Sequence, residues 1–279
     1  MISEIEAKVL LDCKDLIAVG MRADEVRRRL RGTQTTFVRV FEFHVDAVAT
    51  SLPARTSPGE FRIVGSPRSL DAAVAAVRAG RSLAGSIPLT GFSLADLVAL
   101  DGSPSFDHTL RVLRDEGLEE ISEVPLDSLE QAAAAVASAR GAGLAVRRLT
   151  VNVQPADCVA LARRARDLQD ELGGVHAFAP LPRTISIASP TTGYDDVKQV
   201  ALTRLVADNI PSVQVDWQLY GPKLAQFALT IGADDVDAVA AVDPGILGTR
   251  RSPIEEIRGN IRAAGLEPIE RNARFEAIA

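Results

Sequence analysis

Apolar residues along this chain follow two alternating periods. Near the N-terminus, Ile5, Val9 and Leu10 stand at helical spacing behind Ser3 and Glu6. Ser followed by Glu three residues on is a capping-box pair, so a helix is expected there. A second helix is expected over about 23–30, carrying the basic run Arg27-Arg28-Arg29 and ending at Gly32. The period then drops to two. Between residues 36 and 46, β-branched and aromatic residues alternate with polar ones, which predicts a strand. Further strands are expected at 61–64, 82–89, 119–124, 144–153, 175–179, 212–217, 236–242 and from 268. Between them the spacing predicts helices at 69–79, 93–100, 105–116, 127–142, 155–172, 194–208, 222–231 and 252–264.

A helix between consecutive strands carries the chain back across the sheet, so the strands must pair in parallel. No G-x-G-x-x-G follows a strand, so a dinucleotide-binding sheet has no support. No shift of composition marks a domain boundary. The expected fold is α/β: one (β/α) TIM-type barrel, complete or partial, over residues 1–279, with a helical N-terminal extension over 1–34.

Composition narrows the function. The chain has 279 residues, is 47% hydrophobic, and carries 31 Lys+Arg against 37 Asp+Glu. That is too apolar for a disordered chain and too acidic for a general nucleic-acid binder. Cys13 and Cys158 are far apart, with no metal-ligand spacing near either. A disulfide framework is excluded, and two isolated cysteines fit a reducing compartment. No run of 18 apolar residues occurs, and the N-terminus lacks the shape of a signal peptide. A cytoplasmic protein is expected, with neither membrane nor nucleic acid as partner.

Barrel enzymes do their chemistry at the C-terminal ends of the strands. The first strand offers Glu42, His44 and Asp46, which share a face by period two. His44 and Asp46 form an H-x-D pair, able to act as a base with its orienting carboxylate or to contribute to a metal site. Only His108 and His176 remain as further histidines, so no metal site is expected. Later strand ends offer Asn152, Arg183, Asp216, Trp217 and Gln218 as ligand-binding candidates.

The stretch from Ala165 to Pro182 reads ARDLQDELGGVHAFAPLP. It continues with TGYDDVK at 192–198, RLVADNIP at 204–211, WQLYGPKLAQ at 217–226 and GADDVD at 232–237. These blocks resemble the radical S-adenosylmethionine family of the futalosine pathway of menaquinone biosynthesis. That family includes aminofutalosine synthase, the dehypoxanthine futalosine cyclase and the related deazaflavin-cofactor synthase subunit. The resemblance implies a [4Fe–4S] cluster held by C-x₃-C-x₂-C after the first strand. Here the matching positions fall near Ala49, Pro53 and Thr56, none of them a thiolate. The expectation is therefore a degenerate member with no cofactor, neither a cluster nor S-adenosylmethionine. Such a barrel would bind a menaquinone-pathway-like nucleoside or chorismate-derived molecule in its mouth, or assist a catalytic paralogue. Two alternatives stand beside that reading. One is a repurposed acid–base enzyme (lyase, isomerase or hydrolase) using His44, with Asp46 or Glu42 orienting it. The other is a ligand-free structural subunit, paired with a paralogous enzyme or with a second copy.

Overall fold

The computed structural model describes residues 2–47, 51–100, 105–184, 191–243 and 253–278. The strands are β1 (Gln34–His44), β2 (Glu60–Val64), β3 (Leu89–Ser93), β4 (Glu120–Glu123), β5 (Ala145–Val146), β6 (Arg148–Val151), β7 (Ala177–Pro182), β8 (Ser212–Asp216), β9 (Asp235–Ala240) and β10 (Glu267–Glu270). They form one parallel sheet in the order β5-β4-β3-β2-β1-β9-β8-β7-β6, with β10 added beside β1.

The two ends of that path meet. β5 and β6 are separated only by Arg147, and the register runs straight through them. Glu120 pairs with Ala145, Ile121 with Val146, and Pro125 with Thr150 in a parallel bridge. The same stretch pairs on its other side with β7, from Arg148↔Ala177 onward. Taken as one stave, β5 and β6 close the sheet into a parallel barrel. The short β5–β6 break is where the strand expected over 144–153 lies.

Helices α1 (Glu4–Asp12), α2 (Leu16–Arg31), α3 (Leu70–Ala84), α4 (Leu94–Val98), α5 (Phe106–Asp115), α6 (Ala132–Gly141), α7 (Cys158–Leu172), α8 (Gly193–Val206), α9 (Trp217–Leu229) and α10 (Pro253–Ala263) surround it. Side-chain oxygens cap their starts: Ser3 on α1, Ser69 on α3, Asp157 on α7, and Thr192 with Asp195 in a full capping box on α8. The outward faces of the strands pack under the helices. Phe41 and Phe43 of β1 join Ala73, Ala76 and Val77 of α3 in the main apolar core. The N-terminal helices dock on α8. Tyr194 Oη donates to the Lys14 carbonyl at 2.9 Å, and Lys198 Nζ to that of Cys13 at 2.6 Å. Gly20 of α2 touches Ile231 so closely that a Cβ there would lie 2.6 Å from its Cγ2.

Several elements differ from the sequence expectation: α2 begins at Leu16 and not near 23, and α9 at Trp217 and not at 222. The strand expected over 82–89 starts only at Leu89, because α3 runs on to Ala84. The helix expected from 127 begins at Ala132. β7 runs through Pro180 and Pro182, which looked like breakers. Pairing with β8 covers only Ala177 and Phe178, so neither missing N–H removes a bond from that side. The first residue of the helix expected over 252–264 lies outside the described residues. Among them, no helix is long and apolar enough to cross a membrane.

Candidate functional site at the barrel mouth

Barrel interiors are usually filled by layers of Val, Ile and Leu. This one is filled largely by charge. Near the bottom, Arg271 after β10 forks onto Asp235 with two bonds of 2.7 Å. Gln214 Nε2 donates to the same carboxylate at 2.6 Å, and the Thr36 hydroxyl donates to it as well. One layer up, Arg62 Nε donates to Glu60 at 2.7 Å, and its two terminal nitrogens donate to Asp237 at 3.1 and 2.7 Å. Arg148 spans the same two carboxylates, 3.3 Å from Glu60 and 3.1 Å from Asp237. All four of these side chains are essentially inaccessible to water.

Burial alone would raise the Asp237 carboxyl, but Arg148, Arg62 and Arg183 hold it well below the usual carboxylate range. A bulge directly follows Asp237. β9 gains one residue against β1 between Phe37 and Arg39, and Ala238 takes a left-handed φ of 56° there. Asp235 and Asp237 share the inward face by period two, and the extra residue lets Val236 and Val239 both pack outward in the second apolar cluster.

Above this layer opens a cavity of about 440 Å³ at the C-terminal ends of the strands, within the range of small-molecule sites. Its polar wall is Glu42, Arg62, Glu123, Arg183, Asp216 and Gln218. Arg183 is the hub. Its Nη1 bonds Asp216, its Nε lies 3.4 Å from Glu123, and its Nη2 lies 3.5 Å from Asp237. Burial would lower the Arg183 pKa, but those three carboxylates raise it, so the group stays charged. Asp216 also caps α9, accepting from the Leu219 amide at 2.8 Å. Burial pushes the Glu42 carboxyl up; Arg62 opposes that, while Asp237, Asp216 and Glu60 add to it. Tyr220 donates to the Pro182 carbonyl at 2.6 Å, tying α9 to the end of β7, and burial pushes its phenol up.

Of the residues expected from the sequence, Glu42, Arg183, Asp216 and Gln218 meet in this wall. His44, Asp46, Asn152 and Trp217 do not line it. His44 is half exposed; its Nδ1 accepts the Asp46 amide at 3.2 Å, while the Asp46 carboxylate lies 4.0 Å away and bonds Arg68. The imidazole lies on Gly65, where φ is 91° and a Cβ would come 2.4 Å from Nε2. Gly65→Ala is thus expected to cost about 1–2 kcal/mol from the left-handed backbone and to displace the imidazole. Thermal denaturation and the His44 ring resonances check this; an unmoved ring would contradict it. Asn152 ties the end of β6 to the next turn: its amide donates to Asp127 at 2.8 Å and its Nδ2 to Ser128 at 3.1 Å. Trp217 is the first residue of α9 and packs on the second apolar cluster.

Arg62, Glu123, Arg148 and Asp237 were not singled out from the sequence. A signal was present. Glu60-x-Arg62 and Asp235-x-Asp237 put charges at period two on strands that a barrel buries on both faces.

Comparison with known proteins bears out the resemblance read from the sequence. Residues 179–279 match the family model described as the CofH/MqnC C-terminal region. The chain is 35% identical over 136 residues to aminodeoxyfutalosine synthase of Streptomyces coelicolor, covering 41% of this chain and 35% of that one. It is 31% identical over 129 residues to 5-amino-6-(D-ribitylamino)uracil–L-tyrosine 4-hydroxyphenyl transferase of Methanococcus maripaludis, covering 40% and 36%. The matched stretch spans about a third of each relative's length. In fold, the whole barrel resembles methylornithine synthase, with a TM-score of 0.64 at 13% identity over 95% of this chain and 94% of that one. It also resembles the FeFe-hydrogenase maturase of Carboxydothermus hydrogenoformans, with a TM-score of 0.67 at 13% identity over 98% and 77%.

These matches overturn the expectation of no cofactor. The family matched is a radical S-adenosylmethionine family, whose enzymes use a [4Fe–4S] cluster with S-adenosylmethionine, and nothing in the structure shows that cluster to be lost. The donors this chain brings to the loop after β1 do not themselves fit a thiolate-held cluster. Pro53 and Thr56 offer no sulfur, and Ala49 lies outside the described residues. Among the described residues, no group of three His, Cys, Asp or Glu side chains is placed to hold a metal ion.

Proposed function

We propose that this barrel binds a small, polar, nucleoside-like molecule in its mouth, related to the compounds its relatives are named for. Those names describe a futalosine and a ribitylated uracil, each a nitrogen heterocycle carrying a polyhydroxylated chain or ring. One observation carries the reading: Arg62, Glu123, Arg183 and Asp216 of the cavity wall are already held by ion pairs to one another or to the layer beneath. Arg62 and Asp237 lock the floor, and Arg183 clamps Glu123 and Asp216 in place. Side chains held this way give up little freedom when a ligand arrives, which favours binding. Carboxylates and the Gln218 amide suit the hydroxyls and ring N–H groups of such a molecule.

The experiment is a thermal-shift series with adenosine, inosine and 5-amino-6-(D-ribitylamino)uracil, using free ribose as the control. A ligand at one hundred times its dissociation constant stabilises the native state by about 2.7 kcal/mol, and the midpoint rises accordingly. A rise with at least one heterocycle and none with ribose is the expected result. No rise with any of them at millimolar concentration would overturn the reading.

A further inference from the structure

The charges at the mouth do not balance. Three guanidiniums meet there: Arg62, Arg148 and Arg183. Five carboxylates face them. Glu60 and Asp237 lie in the buried layer, and Glu42, Glu123 and Asp216 line the cavity. Neighbouring charges do not repair the deficit. Arg147 is paired with Glu120, Arg68 with Asp46, and Arg271 with Asp235.

The arginines are also geometrically committed. Each nitrogen of Arg62 and of Arg183 already lies against a carboxylate. A ligand carboxylate or phosphate would have to displace one of these groups and add a further negative charge. The carboxylates are unequally committed. Asp216 serves both Arg183 and the start of α9. Glu42 has a single long contact, 3.4 Å from Arg62, and its side chain keeps 30% of its surface exposed.

We infer that the mouth selects ligands carrying a positive charge, such as a protonated amine, which Glu42 receives with Asp216 and Glu123 beside it. This rests on the nucleoside reading above and names the charge that such a ligand bears. A cation seated there restores neutrality and leaves the Arg183 clamp intact. An anion of the same size meets repulsion from three sides.

The test is an isosteric series differing at one position: 5′-amino-5′-deoxyadenosine, adenosine, and adenosine-5′-carboxylic acid, titrated calorimetrically at pH 7 and low salt. The amine is expected to bind at least tenfold more tightly than adenosine, and the carboxylate more weakly than either. Glu42→Gln should shrink the amine's advantage over adenosine, read as the ratio of the two affinities in that same variant, to within threefold. Raising the salt to 0.5 M should shrink it in the unaltered chain, which covers the case of a variant that does not fold. Equal binding of amine and adenosine, or tightest binding of the carboxylate, overturns the inference while the nucleoside reading stands. Binding of none of the three overturns both.

Discussion

Asp237→Asn is expected to lower the unfolding free energy by about 3–5 kcal/mol. The reason is not the loss of one attractive pair. Arg62 and Arg148 are both about as buried as side chains can be, and Asp237 is the carboxylate they share with Arg183. Neutralising it leaves buried guanidinium charge facing Glu60 alone in that layer, and an uncompensated buried charge is among the most destabilising defects a core can hold. The double change Arg62→Met with Asp237→Leu removes charge from both signs and fills similar volume. It should recover most of the loss. Chemical denaturation of the single and double variants checks this, and a single variant within 1 kcal/mol of the unaltered chain would contradict it.

Glu120→Gln is expected to do the opposite above neutral pH. Glu120 is the first residue of β4, almost fully buried, and bonded by Arg147 Nη1 at 2.6 Å. Burial pushes its carboxyl up from 4.5 to about 7, with Arg147 and Arg148 opposing. An acid whose pKa rises on folding holds its proton more tightly in the native state. Between pH 4.5 and 7 the native state therefore binds more protons than the unfolded chain, and stability falls as pH rises through that window. Fully expressed, the cost is on the order of 3 kcal/mol. The glutamine lacks it. Its unfolding midpoint should match the unaltered chain near pH 4.5 and exceed it at pH 8.5. A variant less stable at both pH values would mean that the Arg147 bond outweighs the burial cost.

Much of the architecture was legible because period-two and period-3.6 patterns alternate cleanly after residue 34. What was missed has local causes. Residues 82–84 extend the helical face of α3, and a short apolar run does not say which element it continues. Pro180 and Pro182 read as breakers because the missing N–H matters only where a neighbour uses it, and that depends on pairing, not on the residue. At the site, strand-end reasoning found Glu42, Arg183, Asp216 and Gln218, since those positions follow from the barrel rule alone. His44 shares the face of Glu42 but lies one step beyond the cavity, over Gly65. The buried ion layer was not found. Its partners come from strands distant in sequence, such as Glu60 with Arg148 and Arg62 with Asp237, and no local pattern pairs them.

The cofactor expectation failed for a related reason. The missing thiolates belong to one loop after β1, while the family match rests on residues 179–279, at the other end of the chain.

A ligand bound in the barrel mouth would sit beside a natural reporter. The chain contains one tryptophan, Trp217, whose ring packs on the second apolar cluster while its chain neighbours Asp216 and Gln218 line the cavity. Its fluorescence reports on the start of α9, the element that carries Asp216 and Gln218 to the mouth. Titration with 5-amino-6-(D-ribitylamino)uracil or adenosine is predicted to give a saturable change in Trp217 emission, weakened at least tenfold in affinity by Asp216→Asn. An emission spectrum unchanged through millimolar concentrations of both compounds would contradict a ligand site at the mouth.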